Sequence, residues 1–183
     1  MANLTLRLLL NCLPLAGRRK ALNELLRLTA AAFGQECAGW RRASSHNERL
    51  RHFALFSRSQ AEKAIKKGTE LTVRKILYEN ARHLGQDIRA RLPIRNRADV
   101  AATLHHLYRM LAIDMAVDPL GTVTVQRCFF EPCYSPEICR FISALDEGIV
   151  AGICGGRLVF SQRLTEGADA CRARIEWPAG ENG

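Results

Sequence analysis

Thr122-Val123-Thr124-Val125-Gln126-Arg127-Cys128-Phe129-Phe130 alternates and is rich in β-branched residues, which predicts a strand with Gln126, Cys128 and Phe130 on one face. Upstream of it the apolar residues recur with a helical period, and from Thr122 the period falls to two. This change at Gly121 divides the chain into a helical part, 1–120, a cysteine-bearing α/β part, 121–177, and a tail, 178–183, within one domain, 1–183.

Downstream, Glu131-Pro132-Cys133-Tyr134 reads as a short loop. Ser135 followed by Pro136 is a helix start, with serine as N-cap and proline at the first helical position. Ile138, Phe141, Ile142, Leu145 and Ile149 then form the core stripe of one helix over 136–151. Beside that stripe Cys139, Ser143 and Asp146 point a thiol, a hydroxyl and a carboxylate to the same side. A strand over 157–164, a turn at 165–169 and a last strand over 170–177 follow, with Cys171, Ala173 and Ile175 on one face. The expected fold class is α+β: N-terminal helices, then a small β-α-β-β unit with an antiparallel hairpin.

Upstream, Leu22, Leu25, Leu26, Thr29, Ala32 and Phe33 predict a helix near 18–33, stopped by Gly34. Ser45 with Glu48 and Ser59 with Glu62 have the spacing of a capping box, so each opens a predicted helix. The second runs long, past a bend at Gly85, until Pro93 ends it. Asn96 caps a further helix through Leu104, Tyr108, Leu111 and Met115, and 118–121 forms a turn.

Composition narrows the function classes. In 183 residues, 48% apolar and 25% charged, there is enough chain for one substantial core. The apolar run 4–15 is interrupted by Arg7 and Asn11, too short for the roughly 18 residues of a membrane span. The basic cluster Arg18-Arg19-Lys20 follows that run, whereas an export signal has its charge first. The expected location is the cytoplasm, with no membrane partner.

Residues 1–120 carry 21 Lys/Arg against 10 Asp/Glu, and residues 121–183 carry 6 against 8. The basic residues are spread over every predicted helix, interleaved with acids, and lack the aromatic platforms of single-strand binders. Solvated helix faces, and no nucleic-acid partner, are expected.

Five of the seven cysteines, Cys128, Cys133, Cys139, Cys154 and Cys171, fall after residue 120. An odd count without an export signal argues for free thiols or ligands over a disulfide framework. Their spacing, C-x4-C-x5-C-x14-C-x16-C, lacks the paired knuckles of structural zinc. The metal ligands stay unassigned, with a divalent metal held through cysteines as one reading and thiols packed as small apolar groups as the other. Gly148, Gly152, Gly155 and Gly156 follow a helix and so do not form a phosphate cradle, which lies between a strand and a helix.

The segments V-Q-R-C-F-F-E (125–131), S-x-L-D (143–146) and R-L-T-E-G-A-D-A-C-R-A-R-I (163–175) resemble the L-2-amino-thiazoline-4-carboxylic acid hydrolase-like family over roughly 122–176. Ala173 stands where that family usually has an aromatic residue, and Ser143 near one of its cysteines. The resemblance implies a hydrolase that opens a small cyclic acid containing sulfur or nitrogen. Cys128 or Cys139 would attack the amidine-like carbon as thiolate, or ligate a metal that activates water. Glu131 or Asp146 would serve as general acid or base. Arg127 or Arg163 would pair with a substrate carboxylate, and Phe130, Thr165 and Cys171 would complete the substrate contacts.

The pattern C-R-F-x5-E-G-I-V-A-G (139–152), followed by a Gly/Cys hairpin, is also similar to the vinyl-reductase-type ligand-binding domains. That resemblance implies a sensor or carrier of a small molecule, in which the same cysteines and Phe129, Phe130 and Phe141 line a pocket. A homo-oligomer is compatible with either. The two differ in one measurable respect, because a nucleophilic thiol has a depressed pKa and a pocket lining does not.

Overall fold

The computed structural model describes residues 3, 5, 6, 10, 15–36 and 45–178. Cys12, Cys37 and residues 179–183 of the expected tail lie outside them. Among the described residues four long helices come first: α1 (Leu15–Ala32), α2 (His46–Lys66), α3 (Glu70–Arg91) and α4 (Arg97–Met110). Strands β1 (Ile113–Val117) and β2 (Thr122–Cys128), helices α5 (Pro136–Ile142) and α6 (Ala144–Cys154), and strands β3 (Arg157–Gln162) and β4 (Cys171–Glu176) follow. The four strands pair antiparallel in the order β1-β2-β4-β3. The fold is α+β, with N-terminal helices and a C-terminal hairpin.

The helix ends obey local chemistry. Ser45 and Glu48 close a reciprocal capping box at the start of α2. The pair Ser59 and Glu62 does not start a helix, since both lie inside α2. The break falls later, at Gly68, whose φ of +66° lets the chain leave α2 and enter α3. Asn96 caps α4 by accepting from the Asp99 amide. The Asp99 carboxylate, fully buried, accepts from the amides of Asn3 and Arg95 and ties the N-terminal segment to this helix end.

Two expected elements are corrected. The helix through Met115 ends at Met110, and Ala112, at φ +54°, turns the chain into β1. Leu111 and Met115 are four apart, which fits a helix, but Ile113 and Met115 are the buried pair of an alternating strand. The single helix over 136–151 is two, joined at Ser143, whose hydroxyl donates back to the Arg140 carbonyl at 2.9 Å.

One apolar cluster joins both parts of the chain. Leu22 and Leu26 of α1, Leu50 and Phe53 of α2, Leu77 of α3 and Leu104 and Tyr108 of α4 meet Val123, Val125, Ile153 and Ile175. Within it α3 and α6 lie nearly backbone to backbone. Gly148 faces the Tyr78 carbonyl and Ala81, and Gly152 faces Gly85 and the Arg82 carbonyl. Gly85, expected as a bend, serves this close approach.

A methyl group at Gly152 would sit 2.1 Å from the Arg82 carbonyl oxygen and 2.8 Å from the Gln86 amide, both main-chain atoms that cannot step aside. Gly152→Ala should therefore cost about 3 kcal/mol or more in chemical denaturation. At Gly68 there is open space and only the positive φ resists a side chain. Gly68→Ala should cost about 1 kcal/mol.

Candidate functional site

The pairing of β1 with β2 decides where the first cysteine points. Asp114 pairs with Arg127 but Met115 pairs with Val125, so Gln126 is an extra residue on β2, a β-bulge. Val123 and Val125 face the core, and strict alternation from them would turn Cys128 outward. The bulge resets the phase and brings Cys128 and Phe130 to the inner side, leaving Gln126 exposed. The expected face of Gln126, Cys128 and Phe130 is corrected in this respect.

Behind Cys128 lies a cavity of about 80 Å³ between the sheet, α5, α6 and the first helices. Cys128, Cys139 and Cys171 all line it, with Ser143, Asp146, Glu131, Thr165 and Phe130. The strand, the helix and the closing hairpin thus bring three thiols distant in sequence to one space. Apart from Tyr134, its other walls are apolar: Leu25, Phe53, Leu111, Ile113, Ile142, Leu145, Ile149 and Leu164.

Cys133 instead lines an outer groove of about 580 Å³ with Arg51, Arg127 and Phe129. Cys128, Glu131 and Leu164 border both spaces, which makes this edge the mouth. Cys154 is buried elsewhere, its thiol donating to the Val150 carbonyl.

Neither expected arginine enters the cavity. Arg127 is 85% exposed, beside Asp114 at 3.5 Å. Arg163 is buried, donates to the Ser143 hydroxyl at 3.2 Å, and faces a third space between α3, α6 and β3. The bulge explains the first placement: the same insertion that turns Cys128 inward leaves Arg127 on the solvent side.

The helical part supplies what the sequence reading assigned to the second half alone. The Tyr108 hydroxyl of α4 donates to Asp146 Oδ1 at 2.7 Å. Tyr134 stacks on Phe130 at 5.7 Å between ring centroids, and Phe53 of α2 meets Phe130 edge-on at the same distance. Ser57 and Tyr134 share a hydrogen bond of 2.6 Å. Tyr108 and Phe53 stand on buried helical stripes, a signal of packing that carries no hint of a site.

Burial dominates the electrostatics. It pushes the Cys128 thiol up to about 12, against the Phe130 amide, which favours the thiolate, and with help from the negative potential of Asp146. Burial also raises Cys171, although the Leu164 amide points at its sulfur from 3.3 Å. Asp146 is raised to about 6, first by burial, with the Tyr108 hydrogen bond and the Arg163 charge pulling the other way. Tyr108 is raised by its own burial and by Asp146.

Among the described residues no three His, Cys, Asp or Glu side chains are disposed to hold a metal ion. The described cysteines do not make the donor set of a divalent metal site. The Thr165 hydroxyl is buried and has no hydrogen-bond partner among the described residues. No helix among the described residues is long and apolar enough to cross a membrane. No protein-family model matches the chain, and no curated protein matches it significantly.

Two outcomes follow from these shifts. With its thiol near 12, Cys128 carries roughly one part in ten thousand of thiolate at pH 8. Iodoacetamide should label it at least a hundredfold more slowly than the same cysteine in denaturant, read by peptide mass spectrometry. For Asp146, a folded pKa above the unfolded one means that its protonated form favours folding. That contribution is complete below about pH 4 and is lost as pH rises through 6, by about 3 kcal/mol. Asp146→Asn keeps an oxygen for Tyr108 and should remove this fall from the stability profile between pH 4 and 7.

Proposed function

We propose that this chain is a small-molecule-binding domain of the vinyl-reductase type, a sensor or carrier whose ligand occupies the cavity behind Cys128. The observation that carries the reading is the cavity itself: three thiols converge on an apolar space, and burial has raised the Cys128 thiol to about 12. A thiol in that state packs as a small apolar group and is a poor nucleophile at neutral pH.

The ligand class follows from the walls. About 80 Å³ suits a body of a few heavy atoms, mostly apolar. The Thr165 hydroxyl supplies one hydrogen bond, and the Tyr108–Asp146 pair a second polar contact. A cavity already formed in this way needs little reorganisation on binding. The ligand enters past Glu131 and Leu164 from the groove. The same reading places the chain in the cytoplasm, with neither membrane nor nucleic acid as partner, and leaves room for a homo-oligomer.

A second reading, the hydrolase of a small cyclic S/N-containing carboxylic acid, is favoured by one specific observation. Asp146, held at about 6 beside Cys139 and Cys128, lies where a general acid or base works best. In that reading Cys139 or Cys128 attacks and Asp146 or Glu131 moves the proton.

Toluene is a suitable probe. Titrated into the full chain and followed by amide shifts, it should saturate and perturb Cys128, Leu145 and Cys171. Cys139→Phe, which fills the cavity, should weaken binding about tenfold or more while the fold is retained. Ring opening of aminothiazoline-carboxylate analogues is assayed in parallel. Turnover by the parent that disappears in folded Cys128→Ser or Cys139→Ser would replace the binding reading with the hydrolase.

A further inference from the structure

The cleft on the far side of Arg163 lies outside the cavity that both readings use, although the hydrolase resemblance implies a substrate carboxylate on Arg127 or Arg163. It measures about 410 Å³ and is lined by Arg74 and Tyr78 of α3, Glu147 of α6, Arg157, Leu158, Val159 and Phe160 of β3, and Arg163. Three guanidiniums face one carboxylate there. Arg74 accounts for that carboxylate, since its Nη2 donates to both Glu147 oxygens at 2.6 and 2.7 Å while its Nη1 reaches the Arg140 and Phe141 carbonyls. The charges of Arg157 and Arg163 remain.

Arg163 is the unusual one. Only 9% of the residue is exposed, and a largely buried arginine normally keeps a carboxylate or several carbonyls around its five N–H groups. Among the described residues its hydrogen-bond acceptor is a single hydroxyl, Ser143 Oγ, and its Cζ lies over the Phe160 ring, 4.0 Å from the centroid. Asp146 feels its charge from the cavity side but is bonded to Tyr108.

Arg157, exposed at the start of β3, stands opposite Glu176 in the strand register. β3 is also an edge strand, so the main-chain N–H groups on its free side are available donors. The Tyr78 hydroxyl adds another.

We propose that this cleft is an oxyanion-binding site, in which Arg163 from within and Arg157 from the rim hold the carboxylate or phosphate group of a small molecule. A carboxylate or phosphate offers two oxygens side by side, the paired acceptors that Arg163 lacks, in the fork geometry a guanidinium prefers. The Phe160 ring under Cζ holds the guanidinium from one side by a cation–π contact. The site is separate from the cavity, with the Arg163–Ser143 contact as the wall between them, so it stands whether or not an apolar ligand binds behind Cys128.

The test is a titration of the ¹⁵N-labelled full chain at low ionic strength, with inorganic phosphate in one arm and acetate in the other. Saturable shifts centred on the amides of 157–163 are expected in at least one arm, with a dissociation constant below about 10 mM. The tighter arm identifies the head group. Arg157→Glu should weaken binding about tenfold or more, and Arg163→Lys, which keeps the charge but removes the fork, should weaken it as well. Lys63→Glu, an exposed cation on α2 outside the cleft, should leave it within about twofold. Absence of saturable shifts at 157–163 in both arms overturns the proposal. So does unchanged affinity in both cleft variants, or a loss in Lys63→Glu equal to that in Arg157→Glu, which would mean that diffuse positive charge binds the ion.

Discussion

The close crossing of α3 and α6 is the constraint from which the other arrangements follow. Gly148 and Gly152 let the two main chains approach until a single added methyl group would overlap a carbonyl oxygen. At that distance α6 cannot slide or rotate, because its backbone is in contact along the crossing. Asp146 and Glu147 therefore leave α6 in set directions, Asp146 toward the cavity and Tyr108, and Glu147 toward Arg74 and the outer cleft. Two spaces of different chemistry lie on either side of one short helix turn.

The β2 bulge is the second constraint, and it acts on the first cavity alone. One extra residue, Gln126, brings Val123, Val125 and Cys128 to the same side of the sheet. Phe130 follows Cys128 inward, and the rings of Phe53 and Tyr134 close over it. This aromatic cover removes water from the thiol, and loss of water raises its pKa. Geometry and electrostatics thus have one origin, since the insertion that brings Cys128 inside also keeps it protonated.

Arg163 connects the two spaces. Its charge lowers the carboxyl pKa of Asp146, and without it burial would hold that group neutral to a higher pH. The same charge reaches the outer cleft, where Glu147 is already engaged by Arg74. Ser143, at the joint between α5 and α6, is the only side chain that bonds Arg163 directly among the described residues. A serine at that joint serves both the helix break, through Arg140, and the buried guanidinium.

Much of this was legible in the residues themselves. The capping box at Ser45, the Asn96 cap, the Ser135-Pro136 helix start and the closing hairpin are encoded by neighbours a few positions apart, and each stands where local chemistry puts it. The polar edge of Cys139, Ser143 and Asp146 follows from helical spacing and survives the break between α5 and α6, because the two helices continue in nearly the same phase. Other features were beyond local pattern. Ile113 and Met115 fit a helix or a strand equally until β2 pairs with them. The bulge at Gln126 exists only in that pairing, so alternation alone gives Arg127 and Cys128 no fixed side. The partners of Asp146 and Phe130 come from α4 and α2, far away in sequence. Residue order determines periods and caps, which depend on contacts within a few positions. Tertiary packing alone decided which thiols meet, which arginine is buried and where water is excluded, because those depend on which distant surfaces fit together.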